Sequence, residues 1–343
     1  MGWLCKIFTS NDKILFIEKI EPGPNVRDPV ISFNIATFDE NLNFTFSPTQ
    51  RPKLDGKMLS KAFTDNSYIS SFWYGAGGYE EDNKIHIPYK LTEMRVSKNS
   101  HIPGVNNTAL LVIDSQSYNV STKFVSSEDS NNFFTVIAHK SSKYALFQTL
   151  REKLFFGSIA TDTWKVDELV TNNLLNITLQ GDISHFYVDD NNVHFVWCEN
   201  KQDDLFKGCS VFYRSKDTKS NQWSKPQNLS GNMKCLFPTV TASGKDVVVA
   251  WTGLESPEYG VGSLGDIYYI ISHDYGRTWN SPYRITNHKT ADAQMNQAPK
   301  IFIKSNKLHF IFNQGKNENV QMGKNVRQFK QTTWSVIYQA KDL

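Results

Sequence analysis

The sequence predicts an all-β protein, on three observations. Aromatic residues make up 13% of its 343 positions, Val, Ile, Thr, Phe and Tyr cluster in short runs, and no segment sustains an apolar period of 3.6 residues. Such side chains fit a pleated, half-buried surface, and a hydrophobic share of 39% is enough for a substantial core. The net charge of +3, from 37 basic and 34 acidic residues, is scattered without a Lys/Arg block, which argues against a nucleic-acid partner. No apolar run approaches the roughly 18 residues of a membrane span, and the first residues lack a charged then apolar leader. The chain as given is therefore expected to be cytoplasmic or a mature secreted form, with its compartment left open.

The elements follow from a repeat. "DIYYII" before residue 272 and "NSPYRIT" after residue 279 read as strands joined by the turn "SHDYGRTW". Ser215, Asp217 and Trp223 repeat that turn with one extra residue, Ser158 and Trp164 shorten it, and Thr37, Asp39 and Phe44 match it at full length. Ser97 and Asn99 give another copy. From Thr37 through Ser97, Ser158 and Ser215 to Ser272 the steps are 60, 61, 57 and 57 residues, and a degenerate sixth copy near Asn325 leads to Trp334 and the strand "WSVIYQ".

Each unit also opens with strand, polar turn and more apolar strand: "KIFTSNDKILFIE", "KAFTDNSYISSFW", "TVIAHKSSKYALFQ", "FYVDDNNVHFVW", "TVTASGKDVVVAW" and "IFIKSNKLHFIF". Six such halves and six turn-bearing halves make six four-stranded antiparallel sheets. One sheet cannot bury both of its faces alone, whereas radial stacking buries them, so the expectation is a single six-bladed β-propeller. Its approximate blades are 1–50, 58–115, 131–172, 183–230, 236–287 and 297–343.

With Ser272, Asp274, Gly276, Thr278 and Trp279 in place, "SHDYGRTW" is similar to the Asp box, or BNR repeat, and the chain resembles the sialidase-like six-bladed propellers over nearly its whole length. The resemblance implies that the box joins third and fourth strands. It also implies that Asp274 accepts backbone N–H bonds, that Gly276 supplies a positive φ and that Trp279 packs between blades. These are structural roles on the rim opposite the family's ligand face. That face collects the starts of first strands and the loops joining second to third strands. Such loops are long in "EKIEPGPNVRDP", "WYGAGGYEEDNKIHIPYK", "WCENKQDDLFKG" and "WTGLESPEYGVGSLGD".

A sialidase-type enzyme, by the same resemblance, needs an arginine triad for the sialate carboxylate, a Tyr nucleophile activated by Glu, and an Asp acid/base. The expected first-strand arginine is missing from "GWLCKIF", and "HIPG" carries His101 in place of the motif's Arg. Arg27, Arg51 and Arg151 could approach the face only from loops, Tyr259 beside Glu258 is the tempting Tyr/Glu neighbourhood, and Asp28 or Glu81 is a conceivable acid/base. Binding candidates are more numerous. Trp73, Trp197 and Trp251 end second strands, Tyr74, Tyr79 and Tyr259 are read as loop aromatics, and Glu81, Glu199, Asp204 and Glu258 supply acceptors.

The leading expectation is a glycan- or protein-binding propeller without hydrolytic activity. The alternatives are an exo-glycosidase of sialidase type with displaced arginines and a pure protein-interaction platform. No cofactor is expected. The four cysteines, Cys5, Cys198, Cys209 and Cys235, have neither zinc spacing nor a disulfide framework, so no metal is expected. Cys198 and Cys209 flank a short loop and could pair or remain free thiols.

Overall fold

The computed structural model describes residues 6–10, 13–20, 30–39, 44–59, 64, 66–74, 77–97, 100–124, 133–148, 153–160, 163–171, 183–200, 209–254, 265–287, 294–322 and 326–343. They form six antiparallel sheets, the blades of a six-bladed β-propeller, and a single helical turn, α1 (Gly56–Leu59), among the described residues. Two compact units emerge, one within Cys5–Asn172 and the other within Asn173–Leu343. Each holds three sheets.

In the first unit, sheet 1 orders β1 (Lys6–Ser10), β2 (Lys13–Ile20), β3 (Val30–Phe38) and β4 (Phe44–Phe46). Sheet 2 comprises β5 (Ser67–Tyr74), β6 (Tyr79–Glu81), β7 (Lys84–Ser97), β8 (Ser100–Asp114) and β9 (Val120–Phe124). Both β5 and β6 pair with β7, Tyr74 opposite Tyr89 and Tyr79 opposite His86, so they are one interrupted first strand. Sheet 3 is β10 (Phe133–His139), β11 (Ser142–Gln148), β12 (Leu154–Ala160) and β13 (Thr163–Thr171).

In the second unit, sheet 4 is β14 (Ser184–Val188), β15 (Asn192–Asn200), β16 (Cys209–Asp217) and β17 (Gln227–Asn228). Sheet 5 is β18 (Lys234–Ser243), β19 (Asp246–Leu254), β20 (Gly265–Ser272) and β21 (Tyr283–Arg284). Sheet 6 has three described strands, β22 (Gln294–Lys304), β23 (Lys307–Met322) and β24 (Val326–Asp342). The segment "WSVIYQ" lies inside β24, where Ile337 faces Phe312, so it belongs to the third strand of sheet 6 and not to a fourth.

The turn at 272–279 closes on its own side chains. Asp274 Oδ1 accepts from Arg277 N at 3.1 Å and Thr278 N at 2.8 Å, its Oδ2 accepts from Thr278 Oγ1 at 2.6 Å, and Ser272 Oγ accepts from Gly276 N at 2.8 Å. Residue 276 must be glycine for two reasons. Its φ is +82°, and a Cβ there would sit 2.1 Å from Tyr213 Oη. The Trp279 ring meets Tyr213 edge-on at 4.8 Å, which docks this turn of sheet 5 onto sheet 4.

The copies at Thr37, Ser158 and Ser215 also fall between third and fourth strands, but those at Ser97 and Asn325 do not: both lie between second and third strands, at the ends of long hairpins. In sheet 2 the matching turn starts instead at Asp114. Its Oδ1 takes Gln116 N and Ser117 N at 3.0 and 2.7 Å, as Asp217 takes Lys219 N and Ser220 N at 2.9 and 2.7 Å, and Tyr118 and Asn221 share a left-handed φ of 61° and 62°. Sheet 2 accordingly runs on to Phe124, past residue 115.

A second recurrence fixes the phase of the inner hairpins. His86, His194 and His309 occupy one register position in the second strands of sheets 2, 4 and 6, within "NKIHI", "NNVHF" and "NKLHF". His194 Nδ1 bonds the Tyr213 hydroxyl at 2.8 Å and His309 Nδ1 bonds Tyr338 at 2.7 Å, each Tyr facing the residue two beyond its His. In sheet 2 that third-strand position is Leu110, so the buried His86 Nδ1 has no hydrogen-bond partner. The imidazole instead stacks on Tyr79 at 4.5 Å, and Lys143 Nζ lies 5.3 Å from the centre of the Tyr79 ring.

Two predictions follow from these turns and pairs. Asp274→Ala should lower the melting temperature, because four donors, the Ser272 hydroxyl among them, lose their acceptor. Those bonds hold the carboxyl well below the usual carboxylate range, so the stability they confer is present at neutral pH and lost as pH falls through that range. Thermal melts at pH 7 and pH 3 should differ less for the variant than for the wild type.

His86 behaves in the opposite chemical sense but with the same direction in pH. Burial, opposed by Glu81 and reinforced by Lys143, Lys123 and Lys84, pushes its imidazole down to about 4. Between that value and the unfolded 6.5 the unfolded chain binds the extra proton, so stability falls on acidification, by at most about 3 kcal/mol. His185 and His309 are shifted downward too, so the wild type shares this sensitivity among several groups. His86→Phe keeps the ring stack and removes one of them; its melting temperature should fall less steeply between pH 7 and pH 4.5, and an unchanged slope would refute the assignment.

Candidate functional site

The aromatic platform expected from the sequence is largely core. Tyr74 and Tyr79 are 5% and 3% exposed and lie in paired strands, not in a loop. Tyr79 packs with Leu110, Val112, Val136 and Ala145. Trp197 and Trp251 are fully buried, Trp197 Nε1 donating to Glu199 Oε1 at 2.8 Å and Trp251 Nε1 meeting Met233 Sδ at 3.5 Å. Their rings have no face left for a ligand. Trp73 pairs through its backbone with Lys90 in the first strand of sheet 2; counted from each hairpin, the position matching Trp197 and Trp251 is Tyr89, whose buried hydroxyl donates to Leu59 O at 2.9 Å.

The acids are partly committed as well. Glu81 Oε2 accepts from Lys143 Nζ at 2.7 Å, an ion pair that holds its carboxyl below the usual range, and the neighbouring Glu80 pairs with Lys13. Sheets 1, 2 and 3 are thus pinned by lysines from both sides of the β6–β7 hairpin. Glu199 is occupied by Trp197. Asp266 is buried against Arg284 and accepts from Thr286 Oγ1 at 2.6 Å.

Arg51 is exposed but stands on the outer edge of sheet 1. There Phe33 N donates to Gln50 O at 3.0 Å and Gln50 N to Phe33 O at 2.9 Å, so residues 47–53 continue the fourth-strand position along β3 and do not form a connection on the expected face. Arg27, Asp28, Arg151, Asp204, Glu258 and Tyr259 lie outside the described residues, as do the connections 201–208 and 255–264.

What sequence reasoning passed over lies on first strands. None of the described first strands carries an arginine. In the second unit they carry His185 on β14 and Lys300 on β22 instead. His185 Nδ1 accepts from Val240 N at 3.4 Å, which requires that nitrogen to be unprotonated and leaves the proton on Nε2. Burial, then the Lys300 charge, holds this imidazole well below its ordinary value. Ala298 N donates to Thr252 Oγ1 at 3.2 Å, linking β22 to sheet 5. The first strands of the second unit thus carry a buried lysine and a neutral imidazole, neither of which can form a fork of guanidinium bonds. The strings "SHFYV" and "QAPKI" held this signal, as polar residues placed among apolar ones on strands expected to face the axis.

Among the described residues no group of His, Cys, Asp and Glu is arranged to hold a metal ion, and no helix is long and apolar enough to cross a membrane.

No family model matches the chain, and no curated protein matches it. Among solved structures, a Trypanosoma rangeli sialidase in complex with sialic acid is similar, with a TM-score of 0.52 at 11% identity over 79% of this chain. The chain spans 44% of the length of that sialidase. YjhT is similar end to end, with a TM-score of 0.50 at 9% identity over 99% of this chain and 97% of that one. At these identities the likeness is one of fold.

The burial of Tyr79 yields a prediction opposite to that for a loop aromatic. Tyr79→Ala should cost about 3–5 kcal/mol of stability, a core-type penalty, measured by denaturant unfolding. A melting temperature indistinguishable from the wild type would return Tyr79 to the surface.

Proposed function

We propose that the chain is a binding propeller without hydrolytic activity, taking a glycan or protein ligand at the connections between second and third strands. The observation that carries this reading is the composition of the first strands. Sialidase-type chemistry, as the resemblance implies it, grips a carboxylate through arginines anchored there, and the described first strands hold none. A substrate without that clamp loses the orientation that turnover requires.

Binding is supported by the two connections of the second unit that follow strands with buried interiors. Residues 201–208 follow Trp197–Asn200, and residues 255–264 follow the β19 segment whose interior positions are all buried. A rigid base with a variable connection is the ordinary arrangement for recognition. Asp204, Glu258 and Tyr259 are the binding residues proposed within these connections, and Tyr259 is the proposed aromatic anchor.

Fluorogenic sialosides, arabinosides and xylosides should show no turnover above buffer, while a glycan array or a pull-down should register a ligand. Replacing residues 201–208 or 255–264 by a Gly/Ser linker should weaken that binding at least tenfold with the melting temperature nearly unchanged. Turnover abolished by Arg27→Ala or Arg151→Ala would replace this reading with a displaced-arginine glycosidase. Full binding by both folded linker variants would place the ligand elsewhere.

A further inference from the structure

Three buried thiols converge at the base of the 201–208 connection. Cys198, Cys209 and Cys235 are all free, with Cys198 and Cys235 fully buried and Cys209 7% exposed. Cys198 faces Val211 and Cys209 faces Asn200 across the β15–β16 ladder, which places Cys198 and Cys209 diagonally on one face of sheet 4. Both thiols point at the same atom: the carbonyl oxygen of Cys235 accepts from Cys209 Sγ and lies 3.8 Å from Cys198 Sγ. Cys235 Sγ donates elsewhere, to Met233 O at 3.3 Å.

The two facing thiols are chemically unequal. The neighbouring Cys198 thiol holds the Cys209 pKa below its usual value against the effect of burial, with the Cys235 backbone and the Lys234 ammonium adding to the shift. Burial raises the Cys198 thiol. The thiolate-forming cysteine is thus also the one with some exposure, and it stands at the first residue of β16.

We propose that Cys198 and Cys209 form a reversible disulfide across the open end of the β15–β16 hairpin, made by exchange with a small-molecule disulfide such as oxidised glutathione. The Cys209 thiolate attacks one glutathione sulfur and expels the other as glutathione thiolate, which takes up the proton that Cys209 gave. Cys198 then loses its proton and attacks the Cys209 sulfur, releasing the second glutathione. The two cysteines lose two electrons and two protons, and one glutathione disulfide becomes two glutathione thiols.

A diagonal pair sits near the long limit of disulfide reach. Only the Glu199–Ser210 and Asn200–Cys209 rungs separate Cys198 from the hairpin's open end, so closure perturbs the last of the ladder and leaves its interior intact. The bond would tie residues 201–208 into a covalent loop. Its effect on ligand binding rests on the function proposed above; the disulfide itself does not.

The test uses the full chain incubated with oxidised glutathione, blocked with iodoacetamide in denaturant without reduction, digested and mapped by mass spectrometry. The expected product is a linked peptide pair containing Cys198 and Cys209, abolished by dithiothreitol, with Cys235 alkylated. Cys235→Ser should still form it. Cys198→Ser should accumulate a glutathione adduct on Cys209, and Cys209→Ser should yield neither link nor adduct on Cys198. A dominant Cys209–Cys235 link, or alkylation of all three thiols in the wild type, overturns the proposal; because the wild-type map decides alone, a variant that fails to fold does not rescue it.

Discussion

The structure depends on second strands that are buried on both faces. In β19 every residue from Val247 to Gly253 is buried, and in β15 the run Val193–Cys198 is buried as well. A strand in that position cannot send a polar side chain to solvent on either side, so such a group is answered from within the sheets or, as at His86 Nδ1, goes without a hydrogen bond. His194 meets this by bonding Tyr213 on one side and Asp189 Oδ2, at 3.0 Å, on the other. Tyr213 in turn occupies the space that a side chain at residue 276 would need, and Trp279 closes over it. One buried imidazole is therefore connected, through a hydroxyl and a glycine, to the turn that docks sheet 5 on sheet 4.

This constraint explains what was legible in the sequence. The all-β class and the six-sheet repeat show as short apolar runs, because a strand buried on both faces takes apolar residues at most positions. The 272–279 turn was readable to the level of single atoms, since Asp274, Gly276 and Trp279 each have a role that few other residues could fill. Phase was harder. Ser97 and Asn325 kept the repeat spacing yet fell on second-to-third hairpins, because β7 and β23 run for 14 and 16 residues, against 8 for β2 and 9 for β15. The better marker was the Asn-x-apolar-His pattern at His86, His194 and His309, which counts from the inner hairpin and is indifferent to how far the outer end extends.

The candidate site was less legible, for a related physical reason. "YGAGGY" reads as a glycine-rich loop, but Gly77 marks a close approach. A Cβ there would come within 2.6 Å of Thr135 Cγ2 and 2.9 Å of Val136 O, so the first strand of sheet 2 presses directly onto β10. Tyr74 and Tyr79 flank that contact and are carried into the core with it. Sequence shows that an aromatic residue stands next to glycines; it does not show whether the glycine is there for freedom of the chain or for lack of room. The same ambiguity affects Trp197 and Trp251, whose indole nitrogens find their partners in Glu199, two residues along the same strand, and in Met233, which the fold brings up from the neighbouring strand's start.

Where binding can occur then follows by subtraction from packing. The third-to-fourth turn of sheet 5 is used to hold that sheet against sheet 4. The β6–β7 hairpin is clamped by Lys13 and Lys143. The inner strands of the second unit keep polar character at His185 and Lys300, where a neutral imidazole beside an ammonium avoids the repulsion that two charges would cost in a poorly solvated space. The chain ends of β15 and β19 lead into residues 201–208 and 255–264, which lie outside the described residues. Side chains along the described strands thus answer one another, and recognition by the segments that join them is the part that belongs to the proposed function.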